Sequence, residues 1–145
     1  MASVKSVAIT NLDAVPSVMS DGGNLSGMKV WHDTYEASSL GSGSDITIGR
    51  IPGGSTIHDV ILKCDALGGS STLKVGDAGD DDRYLAAVGT WNAAGQVQSM
   101  LGGSTAANTA VAGIGYKVSE ATDIKITTGG AAITGTIYFW VYYTQ

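Results

Sequence analysis

The sequence predicts a single all-β domain, folded as an antiparallel sandwich or barrel. Glycine separates the elements, with 21 glycines against only two prolines in 145 residues. The segments between the glycine clusters alternate apolar with polar residues or are rich in β-branched residues, which is typical of strands. About eight or nine such short segments, with turns of Gly, Ser and Asp between most of them, are expected in a sandwich or barrel.

The elements follow in order along the chain. Residues 3–10 alternate as a first short strand, and residues 12–24 form an irregular segment in which Pro16 prevents continuous pairing. We therefore expect residues 1–23 to form an N-terminal arm that includes this first strand, and residues 24–145 to form the sandwich domain. The further predicted strands are residues 28–35, 46–48, 56–65, 72–75, 84–88, 115–118, 124–127 and 136–143.

The predicted C-terminal strand, residues 136–143, is apolar or amphipathic on both faces. Successive side chains of a strand point to opposite sides of the sheet. This pattern predicts a strand with the core on one side and a second packed surface on the other. The residues of the two faces are, in turn, Ile137, Phe139, Val141 and Tyr143, and then Tyr138, Trp140 and Tyr142.

One long segment, residues 91–109, has no strand alternation. Loops of more than about 12–15 residues without secondary structure are uncommon in compact domains and usually have a function or are mobile. We therefore expect this segment to contribute contacts between copies of the chain.

The composition indicates a domain covered by protein partners. Charged residues make up 14% of the chain, well below the roughly 25% of an average soluble domain. The net charge is −5 and the eight basic residues form no cluster, which argues against nucleic acid and against anionic membranes as partners. The N-terminus lacks the apolar stretch of a signal peptide, and no run of residues is long and apolar enough to span a membrane.

No catalytic or cofactor motif is complete in this sequence. The two histidines, His32 and His58, lie beside no nucleophile motif, and the Gly-x-Ser-x-Gly and phosphate-loop patterns are absent. The single cysteine, Cys64, is in phase with Val60 and Leu62 on one strand face, so we expect a buried thiol rather than a zinc ligand. The sequence therefore predicts a protein that is not an enzyme and that needs no cofactor.

An aspartate-rich segment, residues 76–83, is the densest polar cluster. Its carboxylates resemble an oxygen-rich Ca²⁺ loop, with Asp77, Asp80 and Asp82 as candidate ligands. An EF-hand also requires a glutamate at its twelfth position, where this chain has a valine. We therefore favour a turn between strands, in which Arg83 pairs with Asp82 or Asp80, and we predict no metal site.

Residues 50–60 read Arg-Ile-Pro-Gly-Gly-Ser-Thr-Ile-His-Asp-Val and begin a pattern that continues over roughly a quarter of the chain. In this pattern the chain resembles small virion proteins of tailed bacteriophages that decorate or cement the capsid. A Pro-Gly-Gly turn would lead into the strand 56–65, and residues 72–75 would return antiparallel to it. The later segments of the pattern are Leu62, Asp65-Ala66-Leu67-Gly68, Val75-Gly76-Asp77 and Asp82-Arg83-Tyr84.

The resemblance implies a jelly-roll sandwich of about eight strands and a place on the capsid exterior. It implies a protein made in the host cytoplasm that binds the major capsid protein, bridges its subunits and associates with itself as a homotrimer. The alternative is a receptor- or carbohydrate-binding module of a head fibre or tail spike, with Trp31 or Trp91 in contact with the sugar. The candidate interface residues are Val4, Val7, Ile9, Leu12, Pro16, Trp91, Met100, Leu101, Tyr138, Trp140 and Tyr142.

Overall fold

A computed structural model describes residues 27–89, 91–102 and 111–145, together with Ala14. Within these ranges the chain is a β-sandwich of two antiparallel four-stranded sheets, with a single 3₁₀ turn at Val111–Gly113 as its only helical element. The predicted all-β sandwich is therefore confirmed. The predicted first strand and, apart from Ala14, the rest of the arm lie outside the described residues. No helix in the described ranges is long and apolar enough to cross a bilayer.

Eight strands make up the two sheets. Sheet I has the order β1-β8-β3-β6, and sheet II has the order β2-β7-β4-β5. The strands are β1 (Met28–Leu40), β2 (Asp45–Ile51), β3 (Thr56–Cys64), β4 (Ser71–Gly76), β5 (Leu85–Val88), β6 (Gln96–Ser99), β7 (Thr122–Gly130) and β8 (Ile133–Thr144).

The strand pairs are nested along the chain. β1 pairs with β8, β2 with β7, β3 with β6 and β4 with β5, all antiparallel. A long hairpin of four strand pairs would have the same pairing after being rolled into two sheets. The predicted jelly-roll topology is interpreted from this order of strand pairs. Further antiparallel pairs, β8 with β3 and β7 with β4, complete the two sheets.

The prediction that β3 and β4 form a direct antiparallel pair is wrong. Both edges of β3 are occupied, by β8 and by β6, so the chain crosses to the other sheet after β3. The crossover is anchored at Leu67, which is buried and whose amide donates to the Trp91 carbonyl at 2.8 Å. The Leu67-Gly68 segment is therefore a connection between the sheets, not a hairpin turn.

The core lies between the inner faces of the two sheets. The alternation predicted for β8 is confirmed, because Ile137, Phe139 and Val141 are fully buried and the intervening aromatic residues are only half-buried. Cys64 is also buried, as expected. Further large core residues are Ile46, Ile48, Ile51, Ile57, Val60, Leu62, Leu73, Val75, Leu85, Ile124, Ile126 and Ile133.

Two sequence-based expectations for the second half of the chain are corrected. The segment 91–109 was expected to lack strands, yet it contains β6, which pairs with β3 from Ile61 to Cys64. Residues 115–118 were expected to form a strand, yet they provide only an isolated bridge between Lys117 and Thr56. Four residues are too few for an alternation that predicts a strand. Whether each of these two segments forms a strand therefore depends on its pairing with a neighbouring strand.

Candidate interaction surface

The outward side of sheet I carries a row of three aromatic side chains. Tyr138, Trp140 and Tyr142 alternate along β8 and are half-buried on this side. The ring centroids of Tyr138 and Trp140 lie 6.4 Å apart with an interplanar angle of 18°, and the His32 ring lies 4.9 Å from Trp140. Because β8 lies between β1 and β3, this row runs along the middle of the sheet.

Apolar residues of the neighbouring strands extend this row sideways. The register places Val30 beside Tyr142, and His32 on one side of Trp140 with Ile61 on the other. Val30 and, on β6, Val97 are about half exposed. A flat surface of aromatic rings and aliphatic groups with polar edges is typical of a protein interface. We call it the aromatic face: Val30, His32, Ile61, Val97, Tyr138, Trp140 and Tyr142.

The outward side of sheet II is polar by contrast. Arg50 of β2 donates to both carboxylate oxygens of Asp123 on β7, at 2.5 and 3.0 Å. The hydroxyl group of Thr127 donates to Asp45, and Lys74 pairs with Asp81. Solvated ion pairs of this kind contribute little to stability or affinity. The two outward sides therefore differ, and the aromatic face is the better candidate for a protein contact.

The candidate interface residues predicted from sequence fall into three groups. Tyr138, Trp140 and Tyr142 lie together on the aromatic face, and Leu101 is 58% exposed beyond the end of β6. The prediction is wrong for Trp91 and Met100, which are 1% and 5% exposed because both side chains pack into the core of their own chain. The members that fall outside the described residues are Val4, Val7, Ile9, Leu12 and Pro16.

Four residues of the aromatic face were missed as interface candidates: Val30, His32, Ile61 and Val97. Val30 and His32 are two residues apart in β1 and therefore share one face of that strand. Only the β1–β8 register brings that face beside Trp140. Val97 lies in a strand too short to be recognised, so no sequence signal could have identified it.

The aspartate-rich segment is a turn built around a buried ion pair. Asp77 accepts from the Arg83 Nε at 2.8 Å and from the Tyr84 hydroxyl at 2.8 Å through one oxygen. Its other oxygen accepts from the Gly79 amide at 2.9 Å. The prediction that Arg83 pairs with Asp82 or Asp80 is therefore wrong. Gly76 permits the tight turn, because a Cβ there would collide with the backbone of Asp80 and Asp81.

These contacts alter the acidity of the buried groups. Burial by itself would raise the pKa of Asp77, but the hydrogen bonds from Arg83, Tyr84 and the Gly79 amide outweigh it and hold that pKa below its ordinary value. Burial, followed by the hydrogen bond to Asp77, raises the pKa of Tyr84. The Arg83 guanidinium also lies 4.1 Å from the centre of the Tyr116 ring. The Asp77–Arg83 ion pair, with the hydrogen bonds from Tyr84 and the Gly79 amide, thus supports the turn.

The candidate calcium ligands are not brought together as a set. Both carboxylate oxygens of Asp77 accept hydrogen bonds from donors of the protein. The prediction of Asp77 as a candidate cation ligand is therefore wrong. The carboxylates of Asp80, Asp81 and Asp82 lie within 4.8 Å of one another at the surface. The hydrogen bond with Asp80 and the nearby negative charges raise the pKa of Asp82, as expected for crowded carboxylates.

Each histidine contacts a side chain of a neighbouring strand. The Nε2 atom of His58 lies 2.9 Å from the Thr144 hydroxyl oxygen, while Asp59 accepts from the hydroxyl of Ser99 on β6. The ring of His32 lies against Trp140 on the aromatic face. Trp31, expected to contact sugar under the alternative function, donates its indole N–H to the Ile48 carbonyl at 3.0 Å.

Comparison with solved structures finds the same fold in three bacteriophage capsids. A chain of the capsid of Ralstonia phage GP4 is 20% identical with a TM-score of 0.62, over 82% of this chain and 84% of that one. A chain of the cyanophage Pam1 capsid asymmetric unit is 22% identical with a TM-score of 0.63, over 82% and 85%. A chain of the acid-stable capsid of Helicobacter pylori bacteriophage KHP30 is 9% identical with a TM-score of 0.60, over 83% and 89%.

These matches cover most of this chain and most of each matched chain. The aligned part takes a similar share of both partners in each comparison, so the matched chains are about as long as this one. No protein-family model and no curated protein sequence matches the chain. At these identities the likeness establishes a shared fold.

Proposed function

We propose that this chain is a structural protein of a bacteriophage virion, a decoration or cement protein that binds the outside of the capsid shell. In this role it bridges neighbouring subunits of the major capsid protein and stabilises the shell. The observation that supports this most strongly is the fold likeness to similarly sized chains of three phage capsids. The resemblance of residues 50–84 to small virion proteins supports it independently.

The aromatic face supplies the binding energy in this proposal. Interfaces gain most of their affinity from a few aromatic or arginine side chains near the centre of the buried patch. Trp140 occupies this position, with Tyr138 and Tyr142 along the strand and Ile61 beside it. The polar edges of these rings can hydrogen-bond to a partner, so the face combines apolar area with specificity.

To stabilise the shell, the protein needs only to bind the assembled shell more tightly than the separate subunits. A protein that binds across two shell subunits has its full site only in the assembled shell, so binding shifts the equilibrium towards the assembled state. No chemical step is needed for this effect. Self-association as a homotrimer, also part of the proposal, would place three copies of the same contact around one point of the shell and increase avidity.

Substitution of Trp140 tests the proposed contact. We expect Trp140→Ala to weaken attachment to purified capsids by at least about tenfold, since truncating a central aromatic residue commonly costs 2 kcal/mol or more. Attachment is measured by co-sedimentation of the labelled protein with capsids. Lys125→Ala, on the polar side of sheet II, is the matched control and should attach as the unaltered protein does. Equal attachment of both variants would exclude the aromatic face as the capsid contact.

We also propose that the N-terminal arm, residues 1–23, reaches onto the capsid or an adjacent copy, and deletion of residues 2–20 tests this contact. We expect the truncated protein to remain folded, because all eight strands of the sandwich lie beyond this segment, and to attach to capsids more weakly than the complete chain. Circular dichroism checks the fold, and co-sedimentation measures attachment. Unchanged affinity would remove the arm from the proposed contact.

Carbohydrate binding is the alternative use of the same surface, because sugars also stack on exposed aromatic rings. It would be a different function, that of a receptor-binding module. Binding to a glycan array that is lost in Trp140→Ala, together with no attachment to capsids, would favour this alternative over the cement role.

A further inference from the structure

The outer edge of β1, the first strand of sheet I, is not paired with any other strand of the described residues. β1 is 13 residues long and lies at the end of the sheet, with β8 as its only neighbour among the strands of the described residues. At the opposite ends of the two sheets, β5 and β6 are only four residues each. A long edge strand presents a row of unpaired backbone N–H and C=O groups to which another strand can be added.

From Met28 to Ala37, β1 lacks two usual protections of such an edge, a proline and a bulge. It contains no proline, and its register with β8 is continuous from Met28 to Ala37, with the irregularity confined to the stretch before Leu40. Its side chains up to Thr34 are exposed on both sides of the sheet. Natural edges are commonly shielded by a bulge, a proline or charged side chains. The charges of β1 are of both signs, with Lys29 followed by Asp33 and Glu36, so they can face opposite charges on a second copy.

We propose that β1 pairs with β1 of a second copy of this chain, antiparallel and centred on Trp31. A two-fold axis perpendicular to the sheet places the inward side chains of one copy beside the inward side chains of the other. Odd-numbered residues of β1 therefore lie opposite odd-numbered residues, and even-numbered residues opposite even-numbered ones. With Trp31 at the axis, Lys29 of each copy lies opposite Asp33 of the other, which gives two ion pairs. In the same register Val30 lies opposite His32.

The neighbouring registers are less favourable. An axis at Asp33 places two carboxylates directly opposite, which destabilises a strand pair. An axis at His32 places the two imidazoles opposite each other and Lys29 opposite Tyr35, so no ion pair forms. Charge complementarity therefore favours a second copy of this chain as the partner. It also favours the register centred on Trp31.

The contact would unite two aromatic faces. Val30 and His32 belong to the aromatic face and lie on the edge strand, so pairing joins the outward sides of two sheets into one surface of eight strands. The inference does not depend on the capsid as partner, since it concerns only contacts between copies. It is compatible with trimers, because a two-fold contact at β1 can join copies from neighbouring trimers.

A single cysteine at the axis tests the register. We expect Trp31→Cys to form a disulfide-linked dimer under mild oxidation, because residues directly opposite in an antiparallel pair have Cα atoms about 4.5–5.5 Å apart. Thr34→Cys is the matched control on the same exposed strand. Its two copies would lie six residues apart along the strands, about 20 Å, and should not be linked. The natural Cys64 does not interfere, because burial raises the pKa of its thiol to about 12 and the side chain is 1% exposed.

Charge reversal provides a second readout that leaves Trp31 in place. Lys29→Asp and Asp33→Lys should each weaken association by about tenfold, because two attractive pairs become repulsive. The double variant, in which the charges are exchanged, should restore it. Analytical ultracentrifugation at low ionic strength measures the association.

The failures of this inference and of the proposed function can be told apart. No cross-link for Trp31→Cys, or equal linking of both cysteine variants, would overturn the pairing. It would also be overturned if the three charge variants associated like the unaltered chain. Occupation of the edge by residues 1–26 of the same chain would appear as an absence of cross-links. None of these outcomes affects capsid attachment, which is measured separately.

Discussion

Asp77→Asn is expected to lower the free energy of unfolding by about 3 kcal/mol, because it removes one partner of a buried ion pair. The Asp77 and Arg83 side chains are only 5% and 15% exposed. The neutral amide leaves the Arg83 guanidinium without its counter-charge and cannot accept all the hydrogen bonds that now converge on the carboxylate. Because the same contacts set the geometry of the turn between β4 and β5, we expect that turn to open first.

Asp81→Asn is the matched control in the same turn. The Asp81 side chain is 64% exposed and pairs only with Lys74 among the ion pairs of the described residues, so its loss should cost less than about 1 kcal/mol. Urea denaturation followed by tryptophan fluorescence gives both free energies. Similar losses for the two variants would show that the Asp77 group does not support the fold.

The same ion pair predicts how stability depends on pH. The pKa of Asp77 is lower in the folded chain than its ordinary value of about 3.9, so its contribution is complete above that value. The contribution is lost as the pH falls below about 3.9 and through the folded pKa. The stability of Asp77→Asn should therefore fall less steeply than that of the unaltered protein over this range. Parallel curves would contradict this assignment.

Phe139→Ala is expected to be the most damaging single truncation in β8, with a loss of about 3–5 kcal/mol. Phe139 is fully buried between the two sheets, and β8 pairs on both sides, with β1 and β3. The cavity would therefore lie in the middle of the core, where the backbone cannot relax easily to fill it.

Trp140→Ala, one residue further along the same strand, is the contrast. Its side chain points outward, so we expect a loss of stability below about 1.5 kcal/mol, although the removed group is larger. Thermal unfolding of both variants measures the difference. A large loss for Trp140→Ala would mean that the aromatic face supports the fold and is not reserved for a partner.

The features predicted from sequence depend on local periodicity. The two-sided character of β8 follows from the alternation of residues 136–143, and the structure places Phe139 inward and Trp140 outward. The burial of Cys64 follows in the same way from its phase with Val60 and Leu62. Period-two alternation identifies a strand and its faces without any knowledge of its neighbours.

The features that could not be predicted depend on distant pairing. β6 exists because four polar and aliphatic residues meet the edge of β3, and nothing within those residues specifies a strand. Trp91 was expected at an interface because its segment looks irregular, yet its side chain fills the core. The partner of Arg83 is six residues away across a turn, while nearer carboxylates were available in the sequence.

The nested strand order has a consequence for the time course of folding. Met28, at the start of β1, lies opposite Thr144, and Lys29 donates to Gln145 at 2.9 Å. β8, the last strand in the order of the described residues, must insert between β1 and β3 before sheet I exists. Such distant pairings fold slowly, because a long loop must close before the contacts form. Sheet I can therefore form only after β8 has been synthesised, and until then β1 and β3 remain without the strand that joins them.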